Sequence, residues 1–200
     1  RIKTYLNSHT SQLRLSDHVI GLSLTSLFYF LSYSAVHLSI SPLQNSFNLQ
    51  GLSFASLVYL PHGVRVLTIW LYGRWGALYL LPASLISAVF YSKDFEMAAQ
   101  ATALSTLAVM AAFLVAQRMR LGAFYKPGQS VLWHDLLLVG ALAAGFNAVF
   151  LSLLRTGEAF RFESAIFVGD ILGFVVVKLC LLAFFRCLRK RANKPDSGAR

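Results

Sequence analysis

Three ionisable side chains, Arg65, Asp170 and Lys178, lie inside apolar stretches of this 200-residue chain, and His37 and His62 share those surroundings. An ion that faces hydrocarbon costs about 2.5–3.5 kcal/mol, so each should turn toward a partner or a wet cavity. These five residues are the candidate ligand- or partner-binding set. Counted at ~1.5 Å per helical residue, His37 lies near the end of one apolar span and Asp170 at a similar depth below the matching end of another. The spacing predicts that the two can meet, either as a clasp between helices distant in sequence or for proton or ligand work. Arg65 and Lys178 fall in the opposite half, where Asp135 is the nearest candidate acid. Either both cations snorkel to the interface, or they hold an anionic group such as a lipid phosphate or a ligand carboxylate.

Beside Arg65, the stretch "SLVYLPHGVRVLTIWLYGRWG" carries Pro61, which lacks a backbone donor, and Gly63, which tolerates unusual backbone angles. A helix break is predicted there. Two forms are open: a proline kink satisfied by neighbouring helices, or a helical half restarting at Pro61 whose unpaired N–H groups point inward beside His62. Small residues mark packing faces: Gly169 and Gly173 form a G-x-x-x-G step, and Gly140 with Ala144, then Ala141 with Gly145, repeat the spacing. They suit either contacts within a bundle or docking to another membrane subunit. Cys180 and Cys187 are seven apart, about 10 Å along a helix, too far for a disulfide between them. The chain has no spacing typical of zinc or iron–sulfur ligands, and the sequence leaves open which cofactor or pigment, if any, it binds.

The elements that must position these residues follow from composition. Hydrophobic residues make up 56% of the chain and charged ones only 13%, with a mean hydropathy of +0.61. A soluble domain has about a quarter of its residues charged, so a soluble enzyme, a disordered tail and a fibrous repeat are excluded. Apolar stretches near 18–40, 52–72, 75–91, 97–117, 131–154 and 164–185 predict about six membrane crossings. In lipid the backbone must satisfy itself, which makes each crossing helical, and the fold class is an all-α polytopic bundle. Thirteen Lys and Arg fall on one set of connecting segments against three on the other, so both termini are expected in the cytoplasm. The net charge of +10 is therefore a topology signal and not a nucleic-acid footprint. Residues 1–17 read as a cytoplasmic segment, 18–188 as the transmembrane domain and 189–200 as a basic tail suited to anionic headgroups. Tyr59, Tyr91 and several tryptophans read as an interfacial aromatic belt.

The spacing of an aromatic, Pro61, Gly63, an apolar run to Gly73-Arg74 and a further apolar helix in "YLPHGVRVLTIWLYGRWGALYLLPASLI" resembles the membrane-associated sensor (MASE-type) domains of bacteria. The likeness covers residues 57–86, with Tyr59 and Leu60 where that family has Trp and Pro. It implies a bacterial inner-membrane location and a sensory or ligand-facing role for the region of Pro61, His62, Gly63 and Arg65. No catalytic residue follows from it. The chain has one acid deep in its spans and no G-x-S-x-G elbow, so intramembrane proteolysis is not indicated. A non-catalytic sensory or accessory module is the leading expectation. A structural subunit of a membrane complex and a small-solute transporter, or its substrate-binding subunit, are the alternatives.

Overall fold

The computed structural model describes residues 15–46, 56–92, 94–121, 124, 133–154 and 159–192, and among them every regular element is helical. The chain runs through α1 (Leu15–Ala35), a π-helical turn (Val36–Ile40), α2 (Ser41–Ser46), α3 (Leu60–Tyr72), α4 (Arg74–Ser92), α5 (Phe95–Arg118), α6 (Trp133–Ser152) and α7 (Ala159–Ala192). Four segments are long and apolar enough to cross a membrane: Leu15–Gln44, Phe95–Arg118, Trp133–Ser152 and Ser164–Cys187. The basic segment before Leu15, Lys93, Lys126, Arg155 and residues 193–200 lie outside the described residues.

The helices bury small and polar residues and expose large apolar ones. On α1 the stripe Gly21, Thr25, Tyr29 and Ser32 faces inward, while Leu24, Leu27, Phe28 and Leu31 face out. A water-soluble helix has the reverse polarity, and small inward residues let apolar helices approach closely. The start of α5 has a side-chain cap, Asp94 accepting from the Met97 N–H at 3.1 Å, with Glu96 in its first turn and Arg118 in its last. Both signs suit the helix dipole. The π turn precedes Pro42, which cannot donate back to Leu38. The ladder slips there by one residue, and the Ser41 N–H bonds Val36 O instead.

Helix α3 is the centre of the molecule. It is 13 residues long, about 20 Å, and every residue from Pro61 to Ile69 is buried. Around it stand α1, α4, α5, α6 and α7, each packed against the next in that order and all packed against α3. A helix carrying His62 and Arg65 is thereby sheathed by apolar helices. The expected crossing over 52–72 is thus helical only from Leu60, while residues 52–55 lie outside the described residues. Pro61 stands in the first turn, where its missing N–H has no intrahelical acceptor to lose. Of the two forms left open, the proline kink is not the one seen: the helix starts here. At its other end Gly73 adopts φ +57 and turns the chain directly into α4. Gly76 then lies so near the Thr68 carbonyl that a Cβ would sit 2.5 Å from the oxygen.

The first and last helices outrun the expected spans. The first continues through the π turn to Ser46, and α7 is 34 residues long, ~51 Å, running to Ala192. The first residues of the expected polar tail, 189–192, are therefore helical.

Candidate functional site

Side chains of an α-helix lean toward its N-terminus, so Arg65 reaches back up α3 toward the end at Leu60. Its guanidinium lies 5.3 Å from the Tyr29 ring centroid and 5.8 Å from that of Tyr59. Nη2 donates to the Tyr29 hydroxyl at 2.5 Å, and Nε has no hydrogen-bond partner among the described residues. Asp170 projects from α7. Its Oδ2 accepts from Asn147 Nδ2 on α6 at 2.6 Å and lies 3.3 Å from His62 Nδ1, off the hydrogen-bond line. The other imidazole nitrogen of His62, Nε2, is 3.4 Å from the Gly140 carbonyl. Arg65, His62, Asp170 and Asn147 are 4%, 0%, 1% and 1% exposed, so these contacts act in a low-dielectric interior.

The lead into α3 is fixed by glycines. The Tyr59 N–H donates to the Gly169 carbonyl at 2.9 Å. Gly169 and Gly173 lie beneath the carbonyls of Ser56 and Tyr59, where any Cβ would overlap the oxygen. The G-x-x-x-G step of α7 therefore seats a stretch of non-helical backbone. Gly140 sits under the Phe174 ring, Ala144 is buried, and Gly145 has more room, its nearest neighbour for a Cβ being Phe167 at 3.9 Å.

Above Arg65 and Asp170 is a cavity of about 610 Å³. Its floor holds Arg65, Asp170, Asn147 and Tyr59; its walls include Tyr33 and His37 from the first helix and Thr102 and Ser105 from α5. Asp94, Glu96 and Gln100 line it too, and they are exposed, so the cavity runs from an acidic mouth to a buried floor. The π turn contributes Val36 and His37, and α2 contributes Ser41 and Gln44. Gln44 also accepts from the Leu57 N–H at 3.1 Å, which ties the end of the first helix to the lead into α3.

Several expected relations differ. His37 shares the cavity with Asp170, but its ring stacks on Tyr33 at 4.7 Å and Tyr91 at 4.5 Å, and the partners of Asp170 are His62 and Asn147. Depth sorts residues by height alone; the angular position around each helix decides which of them meet. Arg65 does not snorkel: it is buried inside the bundle against Tyr29 and Tyr59. It lines the same cavity as Asp170, because its long side chain carries the charge well above its own Cα. Lys178 stands apart, half-buried, with its ammonium 5.5 Å from the Trp133 ring centroid. Asp135 lies 2.9 Å from His134 Nε2. Tyr59 lines the cavity, and Tyr91 stacks on His37 beside it.

The sequence reading missed Tyr29, Tyr33, Asn147, Thr102 and Ser105. A signal was present for some of them. Tyr29, Tyr33 and His37 recur every four residues and so share one stripe of the first helix, and Asn147 is the lone side-chain amide of α6. No protein-family model, curated protein or solved structure matches the chain. The site must therefore be read from its own chemistry: a cation and a carboxylate, each held by neutral groups, facing one cavity with no direct ion pair between them among the described residues.

Proposed function

We propose that the chain is a multi-pass membrane module, sensory or accessory and not catalytic, that binds a small polar ligand in the cavity above Arg65 and Asp170. The observation that carries the reading is this pair of buried, separately held charges at the floor of a cavity with an exposed mouth. Convergent polar groups in a cavity of this size are the ordinary make-up of a small-molecule site. The resemblance to MASE-type domains around Pro61, His62 and Arg65 agrees with it and favours a bacterial inner membrane. The proposed course has six crossings, α1, α3, α4, α5, α6 and α7, with the short α3 completed by the stretch that leads into it. The loop charges argue for cytoplasmic termini, which puts the mouth at Asp94 and Glu96 on the outer face. Gly169 and Gly173 are occupied by the chain's own backbone, which weakens a structural-subunit role that would use them for docking.

The test is thiol labelling in sealed vesicles, with Cys180 and Cys187 replaced by Ser. Thr102→Cys, in the cavity wall, should react with a membrane-impermeant methanethiosulfonate from the outer face, and Leu107→Cys, on the exposed apolar face of the same helix, should not. An unreactive Thr102→Cys would remove the reading. Reaction from both faces would replace binding with transport as the role of the same cavity.

A further inference from the structure

The cavity floor holds opposite charges that make no direct ion pair with each other among the described residues. Arg65 bonds the Tyr29 hydroxyl and Asp170 accepts from the Asn147 amide, while Arg65 Nε, Asp170 Oδ1 and Asn147 Oδ1 are buried without hydrogen-bond partners among the described residues. Unpaired buried ions are costly, and water would supply hydrogen bonds without supplying counter-charge. A simple anion would suit Arg65 but meet Asp170 and, at the mouth, Asp94 and Glu96. A simple cation would suit the acids and be repelled by Arg65. A solute carrying both charges, with no net charge to be turned away, satisfies each end at once.

The rest of the cavity fits such a solute. Tyr33 and Tyr59 line it beside the charged pair. Asn147 Oδ1 is an acceptor beside the carboxylate, and the volume leaves space for substituents beyond the charged groups. We infer that the cavity takes a zwitterion whose carboxylate or phosphate is joined by a short link to an ammonium, the anion on Arg65 and the ammonium on Asp170 and Asn147. Free α-amino acids and the headgroup of an ethanolamine phospholipid share this chemistry. The inference rests on the cavity being a ligand site, as proposed above.

The test uses the full chain in neutral detergent with each standard L-amino acid, followed by thermal unfolding and calorimetry. At least one should raise Tm with concentration, as mass action requires. Its N-acetyl form, lacking the ammonium, and its amide, lacking the carboxylate, should each bind roughly a hundredfold more weakly or worse. Asp170→Asn and Arg65→Gln should give matching losses. The blocked ligands make the same deletions on the unaltered protein, so the result does not depend on either variant folding. In a parallel arm, nanodiscs of mixed phosphatidylethanolamine and phosphatidylglycerol are read by native mass spectrometry. Selective retention of the ethanolamine lipid, lost in Asp170→Asn, would assign the zwitterion to the bilayer; binding of an amino acid would assign it to the aqueous phase. Blocked forms that bind as well as the parent, or failure of both arms, overturn the zwitterion. If Thr102→Cys is still labelled from outside in that case, the ligand cavity stands without this occupant; if it is not, both readings fall together.

Discussion

Arg65 has a permanent charge in the most enclosed helix of the bundle, and its one hydrogen bond among the described residues goes to a phenol. Hydrogen bonds to charged groups contribute about 1.5–3 kcal/mol, and neutral ones about 0.5–1.5 kcal/mol. Tyr29→Phe should therefore destabilise the protein more than Tyr91→Phe, which removes a neutral bond to Ser34. Unfolding titrations in mixed micelles should give a loss of about 1.5–3 kcal/mol for the first and about 1 kcal/mol for the second. Equal losses would mean that the Tyr29 hydroxyl does not hold the guanidinium. Arg65, His62 and Asp170 were visible in the sequence because an ionisable group amid apolar residues needs a partner wherever it is. Their partners were not, because a hydroxyl or amide in an apolar run is common. The choice of Asn147 over His37 for Asp170 depends on angles that a count of residues does not contain.

Among the elements, α3 is unusual because backbone contact seats the segment that leads into it, while Val64, Val66, Leu67 and Ile69 pack its body into the core. The carbonyls of Ser56 and Tyr59 rest on Gly169 and Gly173, so a methyl group at either glycine has nowhere to go without lifting the lead segment off α7. Gly173→Ala should cost about 1–3 kcal/mol, the usual range for forced overpacking. It should also change the labelling rate of Thr102→Cys, since Tyr59 at the displaced segment is part of the cavity floor. Gly145→Ala, with its nearest neighbour at 3.9 Å, should stay within about 0.5 kcal/mol of the parent protein. A tolerated Gly173→Ala would show that the lead segment is not held as described. The small-residue spacing of α7 was legible, but what it holds was not. The same spacing serves a second helix or a strip of extended chain, and only the break before Pro61 indicates the latter. The long apolar helices were legible because length and hydropathy suffice to define them. The exit of the first helix was not, because a π turn ahead of Pro42 changes the facing of the last two turns without changing their hydropathy.

At the scale of the molecule, the ring of α1, α4, α5, α6 and α7 supplies α3 with a solvent that lipid cannot. A 13-residue helix with His62 and Arg65 is too short and too polar to insert alone, since about 20 apolar residues span the hydrocarbon and a central Arg adds ~2.5–3.5 kcal/mol. In the proposed six-crossing course, its crossing depends on later helices. Fusions of alkaline phosphatase, active only outside, and of a fluorescent protein, folded only inside, test this at successive truncation points. After Ser46, Ser92 and Ser152 the phosphatase should be active, and after Arg118 and Ala192 the fluorescent protein should be bright. A fusion after Gly73 should report both sides, because α3 has been made without its sheath. Restoring the chain through α7, with the fluorescent protein inserted at Gly73 in the α3–α4 turn, should move that point wholly to the cytoplasm. A clean cytoplasmic signal from the truncation at Gly73 would mean that α3 crosses unaided, and that Arg65 is paid for by something other than the surrounding bundle.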